Sequence, residues 1–301
     1  MKKWNLIIDV DNCTNCNMCT LASKDEHVGN AFPGYSAEMP KRGAEWIKIE
    51  KKERGQTPMI DIGYIPTMCQ HCDDAPCMKV AKNNAITKRN DGIIIIDPEK
   101  SKGQKQIVDS CPHGSISWNE ELKIPQIWFF DAHLLDKGWK EPRAVSVCAT
   151  DAMKSLKVDD KEMQKIVQKE KLEILNPEYN TSPRVYYKNL FRYNKCFIGG
   201  SVAKIKNKIE DCISGANVKL CKNSQTINEL QTDDFGDFKF DKLPANSGEY
   251  EIEIEYKSIK KSIKLNLNDS LFLGNIYIYE IIYLALIKLK SFLIIKLKMF
   301  M

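Results

Sequence analysis

The pattern of apolar and polar positions changes near Pro183. Beyond it, several segments alternate apolar and polar residues, namely residues 185–187, 218–220, 238–240 and 250–256. Clusters of turn-forming residues, such as 233–237 and 245–248, separate them. Alternation with a period of two and turns at short intervals is typical of antiparallel strands. The pattern predicts a small antiparallel β-sandwich over residues 183–279.

The first half of the chain has a different residue pattern, with short apolar runs and many Cys, Pro and Gly residues. The run Ile93–Ile96 followed by Asp97-Pro98 predicts one short buried strand that ends in a turn. Residues 152–173 are rich in Lys, Glu and Gln, and their apolar spacing predicts an amphipathic helix. We therefore expect an α+β protein with a cysteine-rich domain at 1–151 and a helical connector at 152–182.

The last segment, residues 280–301, is apolar but contains Lys288, Lys290, Lys296 and Lys298. A membrane span needs about twenty residues with few or no charges, so a transmembrane helix is not expected. We treat the segment as a tail of unknown role. The net charge of the chain is +5, and the charge without these four lysines is +1, with acidic and basic residues interspersed. Such a charge distribution argues against nucleic-acid binding.

The cysteine content sets the chain apart from ordinary soluble proteins. Seven of its 11 cysteines lie between residues 13 and 111. An odd total in short C-x-x-C spacings argues against a secreted disulfide scaffold and indicates metal binding by reduced thiols. The apolar run after Met1 is too short for a signal peptide, and no twin arginine is present, so a cytoplasmic location is expected.

The first cysteine run is Cys13-x-x-Cys16-x-x-Cys19. Three thiolates at this spacing on a loop can reach three corners of one [4Fe-4S] cubane. Zinc sites instead use pairs of ligands, so the triple favours iron–sulfur binding. Where the bacterial ferredoxin run has a fourth cysteine, this chain has Ser23.

The second run contains Cys69, Cys72 and Cys77, again without a fourth cysteine nearby. His71 lies between two of these thiols, and a packing or hydrogen-bonding role is favoured over metal ligation. Each set of three needs a remote thiolate, and Cys111 and Cys148 are available. A proline follows Cys111, as in ferredoxins. Two sets, each of three closely spaced cysteines and one remote cysteine, use all eight cysteines of the N-terminal half. Cys196, Cys212 and Cys221 have no ligand spacing and are expected to be simple thiols.

Several stretches resemble a known family, the iron–sulfur subunits of molybdopterin oxidoreductases such as dimethyl sulfoxide reductase. Over nearly the whole chain, the resemblance is to the small subunits of pyrogallol hydroxytransferases, and it rests on residues 32–37, 49–55, 69–77, 95–100, 132–136 and 183–190. The pattern Thr232-Asp233-x-x-Gly236-x-Phe238-x-Phe240 also resembles transthyretin-like and Cna-B-type β-sandwich modules. The resemblance thus implies a ferredoxin-like 4Fe-4S dicluster domain followed by such a module.

The resemblance also implies how the ligands are shared. One cluster would take Cys13, Cys16, Cys19 and Cys148, and the other would take Cys69, Cys72, Cys77 and Cys111. A third family cluster is expected to be absent, because its ligand positions correspond here to Ser23, Trp128, Asp131 and Ala144. The aromatic run at residues 128–130 is a candidate to fill the space.

The implied function is electron transfer by a non-catalytic subunit whose large partner holds the molybdopterin in a heterodimer. None of the four histidines, His27, His71, His113 and His133, lies in a recognisable catalytic motif. Two other hypotheses remain open from the residues alone. The chain could be an independent ferredoxin-like carrier, or a structural or decayed subunit whose clusters no longer assemble.

Overall fold

The computed structural model describes residues 1–206 and 209–279. The predicted tail at 280–301 therefore lies outside the described residues. The chain divides into two compact units. Unit 1 contains Met1–Lys52 and Ile62–Tyr193, and unit 2 contains Glu53–Asp61 and Asn194–Met301. Within the described ranges, no helix is long and apolar enough to cross a membrane.

The elements of unit 1 are short and mixed. Its strands are β1 (Lys3–Asp9), β2 (Ile47–Gln56), β3 (Met59–Met68), β4 (Ile86–Lys88), β5 (Ile94–Ile96), β6 (Ser117–Asn119), β7 (Ile124–Gln126), β8 (Met153–Val158) and β9 (Val185–Lys188), with the β2–β3 turn counted in unit 2. Its helices are α1 (Met18–His27), α2 (Pro76–Val80), α3 (Gln106–Asp109), α4 (Ala132–Leu135), α5 (Arg143–Ser146), α6 (Asp160–Glu170) and α7 (Phe191–Asn194), with a 3-10 turn at Pro177–Tyr179.

The central strand of unit 1 is β1, in a sheet of order β8-β1-β9. Leu6 and Ile8 on one face enter the main hydrophobic core, while Ile7 on the other face packs in a second cluster with Met163. Because both faces are covered, β1 reads as a continuous apolar run rather than an alternating one. The strand pairs antiparallel with β8 and parallel with β9.

Two expectations about the connector are corrected by this sheet. The strand β9 contains Val185, which the sequence pattern assigned to the β-module, but it pairs with β1 inside unit 1. The predicted helix at 152–173 begins only at Asp160, after strand β8. Asp159 caps it by accepting a hydrogen bond from the Glu162 amide at 2.9 Å, which satisfies one unpaired backbone donor of the first turn.

Unit 2 is formed mainly by strands. They are β10 (Cys196–Lys206), β11 (Ile209–Cys212), β12 (Asn217–Lys222), β13 (Gln225–Gln231), β14 (Asp237–Leu243), β15 (Gly248–Tyr256), β16 (Ile259–Leu267) and β17 (Leu271–Ile278). One four-stranded sheet has the order β13-β12-β15-β16, and in the other β10 pairs with β11, β14 and β17. Both sheets contribute to one hydrophobic cluster.

The alternating segments at 218–220, 238–240 and 250–256 form strands of these sheets, whereas the one at 185–187 belongs to β9 of unit 1. Val218 and Leu220 of β12, Phe238 and Phe240 of β14, and Ile252 of β15 are all buried, whereas the residues between them are partly exposed or intermediate. At the turn before β14, Gly236 has a φ of +80°, and an added Cβ would lie 2.4 Å from the Val202 carbonyl oxygen. The turn therefore requires glycine at this position.

Arg54 is a fully buried cation of unit 2. Its guanidinium donates hydrogen bonds to Asp241, at 2.9 Å from Nη1 to Oδ1, to Asp61, and to the Lys195 carbonyl oxygen at 3.1 Å. Burial opposes the charged state, but the hydrogen bonds that Arg54 donates to both carboxylates raise its pKa. The residues of unit 2 around it thus form a compensated buried ionic group.

Removing this cation would leave the carboxylates of Asp61 and Asp241 facing each other with the partial compensation of Lys239, which lies 3.0 Å from Asp241 Oδ2 and 3.9 Å from Asp61 Oδ2. We expect Arg54→Met to destabilise unit 2 by about 2–3 kcal/mol, somewhat below a fully buried pair because both aspartates keep some solvent contact. Hydrogen exchange of β10 and β14 peptides in urea measures the loss. All five tryptophans lie in unit 1, so their fluorescence reports that unit separately.

The matched control is Lys219→Met. Lys219 is partly exposed and lies 3.9 Å from its partner Glu229, so its removal is expected to cost less than about 0.5 kcal/mol. Equal protection of β10 and β14 in wild type and Arg54→Met would contradict the assigned role of Arg54.

Candidate metal centres

The first group of thiols gathers at the end of β1. Cys13 and Cys16 lie on the loop after that strand, where Asn15 and Asn17 have left-handed φ values of 58° and 60°. Asparagine tolerates this conformation better than most residues, and it turns the chain sharply into α1. Cys19 lies in the first turn of α1. Cys148 follows α5, which packs against α1.

The thiols of this first group influence one another. Burial raises the pKa of Cys13, and the neighbouring thiols of Cys148 and Cys16 raise it further. Burial also raises the pKa of Cys19 to about 11, with additional effects from Cys13 and Cys148. The thiols of Cys13 and Cys19 therefore resist ionisation, and they would become thiolates only with a compensating positive charge such as a metal centre.

The second group of thiols lines one cavity. Cys69, Cys72, Cys77 and Cys111 line one small cavity together with apolar side chains that include Ile94, Ile116 and Ile127. Burial raises the pKa of Cys77 to about 12, and Cys111 and Cys72 raise it further. Burial likewise raises the pKa of Cys69 well above its usual value, with contributions from Cys77, Cys111 and Cys72.

Backbone contacts hold the loop that carries Cys69 and Cys72. The amides of Asp73 and Asp74 donate hydrogen bonds to the carbonyl oxygens of Ser182 and Thr181 at 2.8 and 3.1 Å. In addition, the Arg184 amide donates to the Gln70 carbonyl oxygen at 2.9 Å. Segment 181–184 therefore runs beside the ligand loop and fixes its path through three hydrogen bonds.

The donor sets fit [4Fe-4S] clusters. Each group provides four thiols, and a cubane binds each thiolate to a different iron, so the four sulfur atoms surround a volume rather than a point. Among residues 1–206 and 209–279, no three His, Cys, Asp or Glu side chains converge as ligands of a single ion. The apolar lining of the second cavity also suits a buried cluster, because low solvent access is one determinant of cluster potentials.

His71 is a buried neutral residue beside the second group. Its Nδ1 accepts a hydrogen bond from the Ile94 amide at 3.1 Å. Burial lowers the pKa of His71 to about 3, and the cations Lys88 and Arg184 lower it as well. Its backbone has a left-handed φ of 47°, which lets both flanking cysteines turn to the same side. The geometry agrees with the predicted packing role rather than metal ligation.

The three remaining cysteines lie in unit 2. Cys196 and Cys221 are buried and Cys212 is exposed, and none is disulfide-bonded. Cys196 Sγ lies 3.5 Å from Asp269 Oδ1, and Cys221 Sγ lies 3.6 Å from Thr226 Oγ1. These are packing and hydrogen-bonding environments, and neither of the two groups of four includes any of these thiols.

The four positions that correspond to the third family cluster are all buried. The carboxylate of Asp131 accepts hydrogen bonds from Trp128 Nε1 at 3.0 Å and from the Arg143 amide at 2.9 Å, and it contacts His27 Nε2 at 3.0 Å. The rings of Trp128 and Phe130 pack against each other with centroids 5.0 Å apart and planes tilted by 35°. We name this group of residues 23, 27, 128–131, 143 and 144 the aromatic plug.

Sequence reasoning missed two features around the second group. The first is Lys88, whose ammonium lies 2.7 Å from the carbonyl oxygen of Cys72. The second is the buried contact of His27 with Asp131. Neither residue belongs to a motif, and each partner is distant in sequence, so no local signal could have identified them. The adjacent acidic residue Asp73 was the one local hint that a cation lies nearby.

Comparison with known proteins agrees with this geometry. Residues 60–158 match the family described as 4Fe-4S dicluster domain. The chain is 44% identical, over 85% of its length and 91% of the relative's, to the pyrogallol hydroxytransferase small subunit of Pelobacter acidigallici. It is 27% identical, over 62% of its length and 95% of the relative's, to the arsenate respiratory reductase iron–sulfur subunit of Shewanella sp. strain ANA-3.

A further relative and one solved structure were also matched. The thiosulfate reductase electron transfer subunit of Salmonella typhi is 29% identical over 55% of this chain and 81% of its own length. A solved structure, the minor pilin GBS52 of Streptococcus agalactiae, aligns with 33% of this chain and 49% of its own at 11% identity, but its TM-score of 0.24 is too low to assign a fold. The chain belongs to the family of iron–sulfur electron-transfer subunits of the dimethyl sulfoxide reductase type, which includes the pyrogallol hydroxytransferase small subunit.

Proposed function

We propose that this electron-transfer subunit holds two [4Fe-4S] clusters on its eight N-terminal cysteines. One is bound by Cys13, Cys16, Cys19 and Cys148, and the other by Cys69, Cys72, Cys77 and Cys111. The observation that carries the proposal is the gathering of two separate sets of four thiols, each within electrostatic reach of its own members. We call them the first and second cluster sites.

The residues of the chain give the two sites different surroundings. Such clusters supply reversible one-electron chemistry when bound. At the first site Cys16 is exposed and the loop around it faces solvent, whereas at the second site Cys69 and Cys72 are buried under apolar side chains. Exposure and burial change the stability of the charged states, so the protein holds its two electron carriers in unequal environments.

We further propose a large partner subunit that carries molybdopterin and the substrate chemistry, in a one-to-one heterodimer. Support comes from the identity to a small subunit of pyrogallol hydroxytransferase and to iron–sulfur subunits of other reductases. The chain would then transfer electrons without binding the substrate itself. An independent ferredoxin-like carrier remains the second candidate, favoured by the exposure of the first cluster site.

A third cluster is absent in this proposal, and the aromatic plug occupies its position. The buried hydrogen bonds of Asp131 and the packed side chains of Trp128, Phe129 and Phe130 support this assignment. We also propose that unit 1 is the ferredoxin-type domain and that unit 2 is a transthyretin-like or Cna-B-like module. Its two four-stranded sheets around one core support the second part.

Metal analysis tests the cluster assignment. We expect about eight iron and eight sulfide per chain, since each cubane contains four of each. Cys111→Ser and Cys148→Ser are each expected to reduce both counts by about half, because each removes a ligand from a different site. Electron paramagnetic resonance of the reduced protein then identifies the remaining cluster. Counts near twelve would mean that the plug position binds a third cluster, and counts near zero would favour a decayed subunit.

A second variant tests the aromatic plug. Trp128→Ala removes a fully buried ring and the donor to Asp131, so we expect a loss of about 3–5 kcal/mol in stability against urea. The iron content of the folded variant is expected to stay near eight per chain. The matched control is Trp139→Ala, whose ring is partly exposed and whose removal should cost under about 1 kcal/mol. An iron content lowered by four in Trp128→Ala would contradict the assignment.

Purification of the tagged chain under anoxic conditions from its own cells tests the partner. We expect a larger chain at one-to-one stoichiometry, together with about one molybdenum per pair, because the matched small subunits belong to molybdenum enzymes. Mass spectrometry and metal analysis give both ratios. A monomer with a full set of iron, reducible by flavoproteins, would instead support the independent carrier.

A further inference from the structure

A partly buried lysine lies against the ligand loop of the second cluster site. Lys88 ends strand β4, directly opposite Ile94 of β5. Its Nζ donates hydrogen bonds to the carbonyl oxygens of His71 and Cys72 at 2.8 and 2.7 Å. It also lies 2.8 Å from Asp73 Oδ1. Three acceptors require three donated protons, so the geometry defines Lys88 as a protonated ammonium.

The surroundings keep this charge in place. The Lys88 side chain is 19% exposed, so water screens it weakly. Asp73 also receives hydrogen bonds from Arg184, whose side chain is 4% exposed. Burial opposes ionisation of Asp73, but the hydrogen bonds from Arg184 and Lys88 lower its pKa. The group also includes Lys3 and Asp160, and these three cations and two anions have a net charge of +1.

The charge of Lys88 lies against the backbone of a ligand. Its Nζ is 2.7 Å from the carbonyl oxygen of Cys72, the residue whose thiol lines the second cluster site. The same charge would stabilise any added electron at the site, since the reduced cluster is one unit more negative than the oxidised one. His71, the residue between the two ligands, is neutral and cannot compete with Lys88 as a source of charge.

We propose that Lys88 raises the reduction potential of the second cluster and thereby sets its place in the order of electron transfer. The inference rests on the proposed binding of a cluster by Cys69, Cys72, Cys77 and Cys111. Lys88 does not ligate iron; it acts through its charge and through the carbonyl groups of the ligand loop. Asp73 attenuates the effect, because it holds a negative charge against the same ammonium.

A potentiometric titration followed by electron paramagnetic resonance tests the proposal. One electron from dithionite enters the cluster, and no bond is made or broken. The signal that Cys111→Ser abolishes is assigned to the second cluster. We expect Lys88→Met to lower the equilibrium constant for its reduction roughly tenfold, which corresponds to about 59 mV for a one-electron couple. The first cluster is an internal standard and is expected to change less than about twofold.

Two variants separate charge from structure. Lys88→Arg keeps the cation and is expected to restore the wild-type potential to within about twofold in the equilibrium constant. Asp73→Asn removes the opposing charge and is expected to shift the potential upward, opposite to Lys88→Met. A loop that is merely loosened would not produce shifts of opposite sign. The matched control is Lys79→Met, because Lys79 is 65% exposed and pairs with Asp74 in water.

The outcomes are distinguishable from failure of the proposed function. Iron and sulfide are counted first in every variant, and a wild-type chain without a second cluster would overturn the proposed function itself. With both clusters present, unchanged potentials in Lys88→Met, or equal shifts in Lys88→Met and Lys88→Arg, would overturn the role of the charge. If Lys88→Met does not retain the cluster, Asp73→Asn decides: an upward shift supports the proposal, and an unchanged potential overturns it.

Discussion

The constraint on which unit 1 depends is the cost of gathering thiols in a poorly solvated interior. Burial, together with the smaller effects of neighbouring thiols, raises the pKa of Cys19 to about 11 and that of Cys77 to about 12. Such groups cannot carry negative charge unless positive charge enters with them. Metal–thiolate bonds are therefore expected to contribute to the folding of unit 1, in addition to its main hydrophobic core.

In the proposed arrangement, the aromatic plug fills the space that a third cluster would otherwise need. A buried cavity of cluster size would cost stability in proportion to its volume. Here aromatic rings fill the space, and Asp131 joins α1, the segment at Trp128 and α5 through hydrogen bonds. The carboxylate thus links elements that thiolates would otherwise hold together through iron. Because α5 leads directly to Cys148, the plug also positions a ligand of the first cluster site.

The assignment of Cys111 and Cys148 to particular clusters rests on the family resemblance and stays a proposal. The two cysteine runs could be recognised and the alternating strands of unit 2 could be predicted because each is a local pattern. The β1–β9 pairing could not, since it joins residues nearly the whole of unit 1 apart, and Val185 has the same alternating pattern in either location. Likewise Lys88 lies in an unremarkable Ile-Thr-Lys segment, and only the fold brings it to the Cys72 carbonyl. Charge interactions between residues that are distant in sequence cannot be recognised from the spacing of residues along the chain.

The two proposed cluster sites differ in surroundings that affect the direction of electron transfer between them. The first has an exposed cysteine on a solvent-facing loop, whereas the second lies under isoleucines with a fixed ammonium against its backbone. Apolar burial disfavours an added negative charge, and the ammonium favours it, so the two effects on the second site oppose each other. A buried site without Lys88 would hold an electron less readily than the exposed one. The proposed role of the lysine is therefore to let the second site accept electrons while it remains shielded from water.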